Sequence, residues 1–190
     1  MKQRETRAFD YQASDYTVEG YAATFDPYVL LQIDGRDYSE RIEPTAFDGA
    51  DLSDVVFRVD HAGKVYARTS NDAIRLDVDG HGLHQVTNLG LTERAKELYE
   101  DIRVGNYPKM SFAFTVAEDH YEKETRTRVI DRIEKVFDIS PVSFPANPGT
   151  ELSARDYFDG VIEMEKAERL EAERRERQRK KLELKLRLEG

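Results

Sequence analysis

Three separated segments of this chain carry side chains that together could cleave an acyl bond. Ser111 lies in the hydrophobic run KMSFAF at 109–114, His61 closes FRVDH at 57–61, and Asp138 lies in FDIS at 137–140. A hydroxyl, an imidazole and a carboxylate are the parts of nucleophilic acyl transfer. The imidazole takes the serine proton and returns it to the leaving amine, and the carboxylate holds the ring in the required tautomer. No local GxSxG signature joins them. Each also has a structural alternative: a small polar strand residue for Ser111, a core histidine bonded to backbone for His61, and a salt bridge to Arg132 or Lys135 for Asp138. Asp60 is a poorer third member, because a strand neighbour of His61 projects to the opposite face.

The remaining histidines offer less. His81 and His84 stand near Asp77 and Asp79 and outline a metal site, but no third ligand has supporting spacing, so no metal and no cofactor is expected. A metal hydrolase using His61, His81 and His84 is the rival on this side. His84 also remains an alternative third member beside His61. His120 is expected to face solvent.

These side chains need a scaffold, and the composition bounds it. A chain of 190 residues is long enough for one sizeable core and short for two. Residues 156–190 contain ten acidic and ten basic side chains, so the net charge of -9 belongs to residues 1–155. An acidic body argues against nucleic-acid binding, which needs clustered Lys and Arg. Cysteine is absent, which excludes disulfides, thiolate metal sites and a cysteine nucleophile. No run has the length of a membrane span and the amino terminus has no apolar leader core, so a soluble protein without membrane attachment is expected.

Periodicity then places the parts. Tyr16–Phe25 reads as a strand, and Val55, Phe57, Val59 and His61 alternate with Val56, Arg58 and Asp60 as a second. Ile74, Leu76 and Val78 lead into Asp79-Gly80-His81-Gly82, the turn of a hairpin that returns through Leu83–Val86. A helix is expected from the N-cap Thr92, with Ala95, Leu98, Tyr99 and Ile102 on one face and Gly105 as its stop. Met110, Phe112, Phe114 and Val116 form one face of the following strand, which puts Ser111, Ala113 and Thr115 on the other. A strand from Val129 to Ile139 follows a loop over Glu122–Arg126. The prolines at 141, 145 and 148 end regular pairing, and a charged helix runs from about 156 with pairs such as Glu165 and Arg169, Glu171 and Arg175, and Glu173 and Arg177. We therefore expect two parts, a folded domain over 1–155 and a helical tail over 156–190.

In order along the chain, GYAATFD at 20–26, RIEPTAF at 41–47, the Asp60-His61 pair, RVGNYPKMSFAF and FDISPVSFPANPGT resemble the prohead (procapsid) maturation proteases of tailed phages. The resemblance covers roughly residues 15–155. It implies an α+β fold, a mainly antiparallel β-barrel flanked by helices as in herpesvirus assemblins, with the charged helical extension at its end. It also implies Ser111 as nucleophile, His61 as general base and Asp138 in the third position. The oxyanion donors are not identified by sequence; Arg94 and Arg103 are the candidates. The implied substrates are the scaffolding region of the major capsid protein and the protease itself, with self-association, in the host cytoplasm inside the assembling procapsid. A non-catalytic protease-like assembly module is the alternative. Two positions depart from the family pattern: Ala62 after the histidine, and Ala113 where the family has SFGF.

Overall fold

The computed structural model describes residues 4–144 and 152–188. The chain divides into two compact units, Met1–Ser153 and Ala154–Gly190. In the first, β1 (Arg4–Phe9), β2 (Tyr11–Ser14) and β3 (Thr17–Thr24) precede a hairpin of β4 (Tyr28–Ile33) and β5 (Arg36–Ile42). Next come β6 (Val56–Val59), β7 (Ala62–Arg68), β8 (Ile74–Val78) and β9 (Gly82–Asn88). The helix α1 (Glu93–Arg103) leads to the two long strands β10 (Lys109–Glu122) and β11 (Thr127–Val142).

The strands form two sheets that do not close into the barrel implied by the resemblance. One has seven strands along the path β1-β10-β11-β5-β4, with β6 and β7 branching from β11; the other has four in the order β2-β3-β9-β8. The reason lies in β11. Its first half pairs in parallel with β5 at Thr127–Ile130, and its second half pairs in parallel with β6 at Asp138 and Ile139. One edge of β11 is thus divided between two partners, and the sheet forks where closure would need it to curl. All other strand pairings are antiparallel.

β1 and β2 are separated only by Asp10 and belong to different sheets. At that corner the backbone passes so near β3 that a Cβ on Gly20 would stand 2.8 Å from the Asp10 carbonyl oxygen. A Cβ on Gly82 would meet the Ala23 carbonyl at 2.0 Å, so both positions demand glycine for close approach.

Between the sheets lies one core. Phe57, Phe112, Phe114, Ile130, Val136 and Ile139 come from the larger sheet, Val18, Ala22, Ile74 and Leu83 from the smaller, and Ala95, Leu98, Tyr99 and Ile102 from α1. The expected alternation of β10 is present: Phe112 and Phe114 stack in the core with ring centroids 4.5 Å apart. Helix α1 begins at its expected cap, where the Ala95 N–H donates to Thr92 Oγ1. Gly105 follows the helix end with φ +87°.

A buried ionic cluster ties β1 into this sheet. Arg7 donates to Glu5 and Glu40, Arg128 donates to Glu5, Glu40 and Asp119, and the Tyr28 hydroxyl donates to Glu40. Four strands other than β1 contribute to it.

The second unit is helical: α2 (Leu152–Leu188) includes the ion pairs Glu171–Arg175 and Glu176–Lys180. Among the described residues no helix is long and apolar enough to cross a membrane. The part of the second signature from Pro145 to Thr150 lies outside the described residues.

Candidate active site

Ser111, Asp138 and His61 reach a common face of the larger sheet by three different routes. β10 pairs with β11 so that Ser111 stands opposite Ser140 and Ala113 opposite Asp138. Phe114 then pairs with Val136, which leaves Phe137 as the extra residue of a β-bulge. In a regular strand Val136 and Asp138, two positions apart, would share a face. The bulge separates them, sending Val136 into the core and Asp138 to the face of Ser111. Phe137 is displaced with it and lies beneath the Arg4 guanidinium.

His61 arrives on a hairpin. The expectation that it ends a strand is not met: β6 stops at Val59, Val59 pairs with Ala62, and Asp60-His61 form the two-residue turn between them. Both turn residues have positive φ, +47° and +56°, the pattern of a type I′ turn. That removes the strand-parity ground on which Asp60 was set aside, and the structure gives it another partner. Its carboxylate accepts from the Ser143 backbone N–H at 2.8 Å and the Ser143 hydroxyl at 2.7 Å.

The three side chains form one hydrogen-bonded series. His61 Nδ1 lies 2.6 Å from Asp138 Oδ1, and His61 Nε2 lies 2.8 Å from Ser111 Oγ. A carboxylate only accepts, so Nδ1 carries the proton and Nε2 is left to accept from the serine hydroxyl. Asp138 and Ser140 are fully buried, and Ser111 nearly so. The Asp138 carboxylate is compensated by three donors: His61 Nδ1, the Ser140 hydroxyl at 2.8 Å, and Arg4, which reaches Oδ2. Burial holds the His61 pKa down at about 4, with Arg4 and Arg58 adding to the effect and Asp60 opposing it. The ring is consequently neutral at pH 7 and able to take a proton.

Sequence reasoning paired His61 with Ser111 and Asp138 and missed Arg4, Ser140 and Ser143. Ser140 had a signal, since residues two apart from Asp138 share its face; Arg4, on the first strand, had none. The Lys135 alternative for Asp138 is not adopted, because Lys135 pairs with Asp51; Arg132 pairs with Glu118. His84 is on β9 of the other sheet and pairs with Glu19. Asp79 caps its own turn by accepting from the His81 and Gly82 backbone N–H groups. The exposed His120 pairs with Asp131. Arg94 donates to the Val65 carbonyl and Arg103 pairs with Glu100, so both arginines are engaged beside α1. Ala113 has the negative φ of an ordinary strand residue. In the remaining resemblance segments, Ala22, Ala23, Ile42, Ala46 and Phe47 are core residues.

Such an arrangement can move a proton from a serine hydroxyl to a neutral imidazole and stabilise the imidazolium that results. In comparison with known protein families, the sequence model described as caudovirus prohead serine protease matches residues 2–161. Comparisons with curated proteins and with solved structures gave no match.

Proposed function

This chain belongs to the caudovirus prohead serine proteases, a family that acts in capsid maturation, and from that premise we propose how it cuts and what it cuts. Ser111 is the nucleophile, His61 the general base and then general acid, and Asp138 the residue that orients the imidazole and stabilises its charged form. The observation that carries this reading is the continuous series Ser111 Oγ to His61 Nε2 and His61 Nδ1 to Asp138 Oδ1, at 2.8 and 2.6 Å.

As the serine oxygen attacks the scissile carbonyl, its proton passes to Nε2. The resulting imidazolium is stabilised by the Asp138 carboxylate, and its proton leaves with the amine product. Water then enters and gives a proton to Nε2 as its oxygen bonds the acyl carbon; Nε2 returns that proton to Ser111 Oγ as the ester bond breaks, which releases the acid product and restores the neutral ring and the serine hydroxyl. Neutral His61 makes the first transfer possible at neutral pH.

The substrate is the scaffolding region of the major capsid protein, and the protease also cuts its own chain. The test is co-expression with the cognate capsid precursor, comparing the wild type with Ser111→Ala and His61→Ala. Particles that assemble with uncut precursor in both variants are the expected result. Normal cutting in Ser111→Ala would sink the assignment and leave the non-catalytic, protease-like assembly module as the reading. Self-cleavage is tested separately: a chain that stays intact while precursor is processed removes that part alone.

A further inference from the structure

The Asp60-His61 turn is held by more contacts than a surface hairpin needs. The Asp60 N–H donates to the Pro141 carbonyl at 3.1 Å, and the His61 N–H donates to Ser140 Oγ at 3.3 Å. The His61 carbonyl accepts from Arg58 Nη1 at 3.3 Å. The Asp60 carboxylate takes both the backbone and the hydroxyl donor of Ser143. Every one of the β11-side partners falls in the short run Ser140–Ser143, which begins two residues after Asp138.

The turn needs this restraint. Left-handed φ is uncommon for any residue but glycine; histidine tolerates it better than most side chains, yet without the freedom that glycine has. A two-residue turn of this kind favours Asn-Gly or Asp-Gly. Here the second position is a histidine, so the turn supplies less of its own preference and more must come from its surroundings. A hairpin tip free to relax would swing the ring away from a gap only two hydrogen bonds wide.

We propose that Asp60 and Ser143 form a positioning clamp: by locking the tip of the hairpin to the strand that carries Asp138, they fix the His61 ring between Asp138 and Ser111. This inference rests on the roles proposed above for Ser111 and His61. Asp60 touches no reacting atom and acts through the turn. β11 thus supplies the carboxylate, and Ser143, the residue just past its end, supplies the anchor for the base. Their separation is set within one stretch of chain.

The clamp is tested on the full-length protein by the rate at which a small alkyl fluorophosphonate labels Ser111, followed across pH, together with precursor cleavage on co-expression. Asp60→Ala removes the acceptor and the turn preference; a ring misplaced by about an ångström lowers the saturating labelling rate about 100-fold, with little change in the half-saturating reagent concentration. Asp60→Asn keeps an acceptor for the Ser143 N–H and suits left-handed φ, so it stays within about threefold of wild type. Ser143→Ala keeps the backbone donor and loses the hydroxyl, giving an intermediate loss of about tenfold. Both Asp60 variants remove the same charge from beside His61 and move the acid limb downward together; only the alanine lowers the plateau.

Equal plateaus for Asp60→Ala and Asp60→Asn would overturn the clamp, as would a loss in Asp60→Ala no larger than the unfolded fraction measured in urea. His61→Ala separates this idea from its premise. If His61→Ala labels at the wild-type rate, or if wild type neither labels nor cleaves, the roles of Ser111 and His61 fall and the clamp with them. If His61→Ala is inert while Asp60→Ala is normal, the clamp alone is wrong.

Discussion

As the proposed general base, His61 meets two opposing demands: it must be neutral to accept a proton, yet it must favour the charged form once the proton arrives. Burial and the cations Arg4 and Arg58 satisfy the first, lowering its pKa to about 4. Asp138, bonded to Nδ1, satisfies the second when the charge develops. The acid limb of kcat/KM is therefore expected near the lowered value of about 4 and not near 6.5; a limb centred at 6.5 in a pH–rate profile would contradict it. Replacing Asp138 with Asn favours the wrong tautomer, because an amide can donate to Nδ1. A fall of about four orders of magnitude in kcat is expected, as when the same exchange is made in an established Ser-His-Asp triad. Single-turnover cleavage measures it, and a loss of only a few-fold would assign the third role elsewhere. The sequence singled out Ser111, His61 and Asp138 by chemical type and by the resemblance, and the structure brings the three side chains together. The donors around Asp138 were not singled out, since Arg4 joins it only through the order of strands in the sheet.

Among the elements, β11 determines most. It pairs with β10, forks between β5 and β6, carries the bulge at Phe137, and accepts the Asp60-His61 turn at its end. Strand alternation in β10 and the capped helix α1 could be read from residue spacing, because one face of each packs in the core. The bulge could not, since spacing of two presumes an unbroken ladder; the barrel expectation failed similarly, because parallel pairing between distant segments leaves no local trace. β1 is attached through the buried cluster centred on Glu40, whose carboxylate accepts from Arg7 Nη2 at 2.6 Å and from Arg128 Nη1 at 3.3 Å. Glu40→Ala leaves both buried arginines short of an acceptor and is expected to cost about 3–5 kcal/mol. Urea denaturation measures this, and a cost below about 1 kcal/mol would mean that the cluster holds β1 only weakly.

For the whole molecule the same ionisations link stability to acidity. The folded state disfavours His61 protonation, so its contribution is complete above pH 6.5 and is lost as pH falls toward about 4. Glu5 is also held below its ordinary value by Arg128 and Arg7 against the opposing effect of burial, and its contribution disappears as pH falls below 4.5. His120, raised by its bond to Asp131, works in the other direction at the surface. Urea midpoints taken downward from pH 7.5 should thus decline in two stages, and in His61→Ala the first should flatten; an unchanged first stage would assign it to other groups. The forked strand has a further consequence, in time. Among the described residues β11 is the last strand of the first unit, and a chain made from its amino terminus contains Ser111 and His61 before Asp138 and Ser143 exist. During synthesis the proposed nucleophile and base are therefore present without the carboxylate or the anchor that would align them. With the roles proposed above, a chain assembled in this order is expected to be inert until its final described strand docks, a step that both finishes the sheet and completes the site.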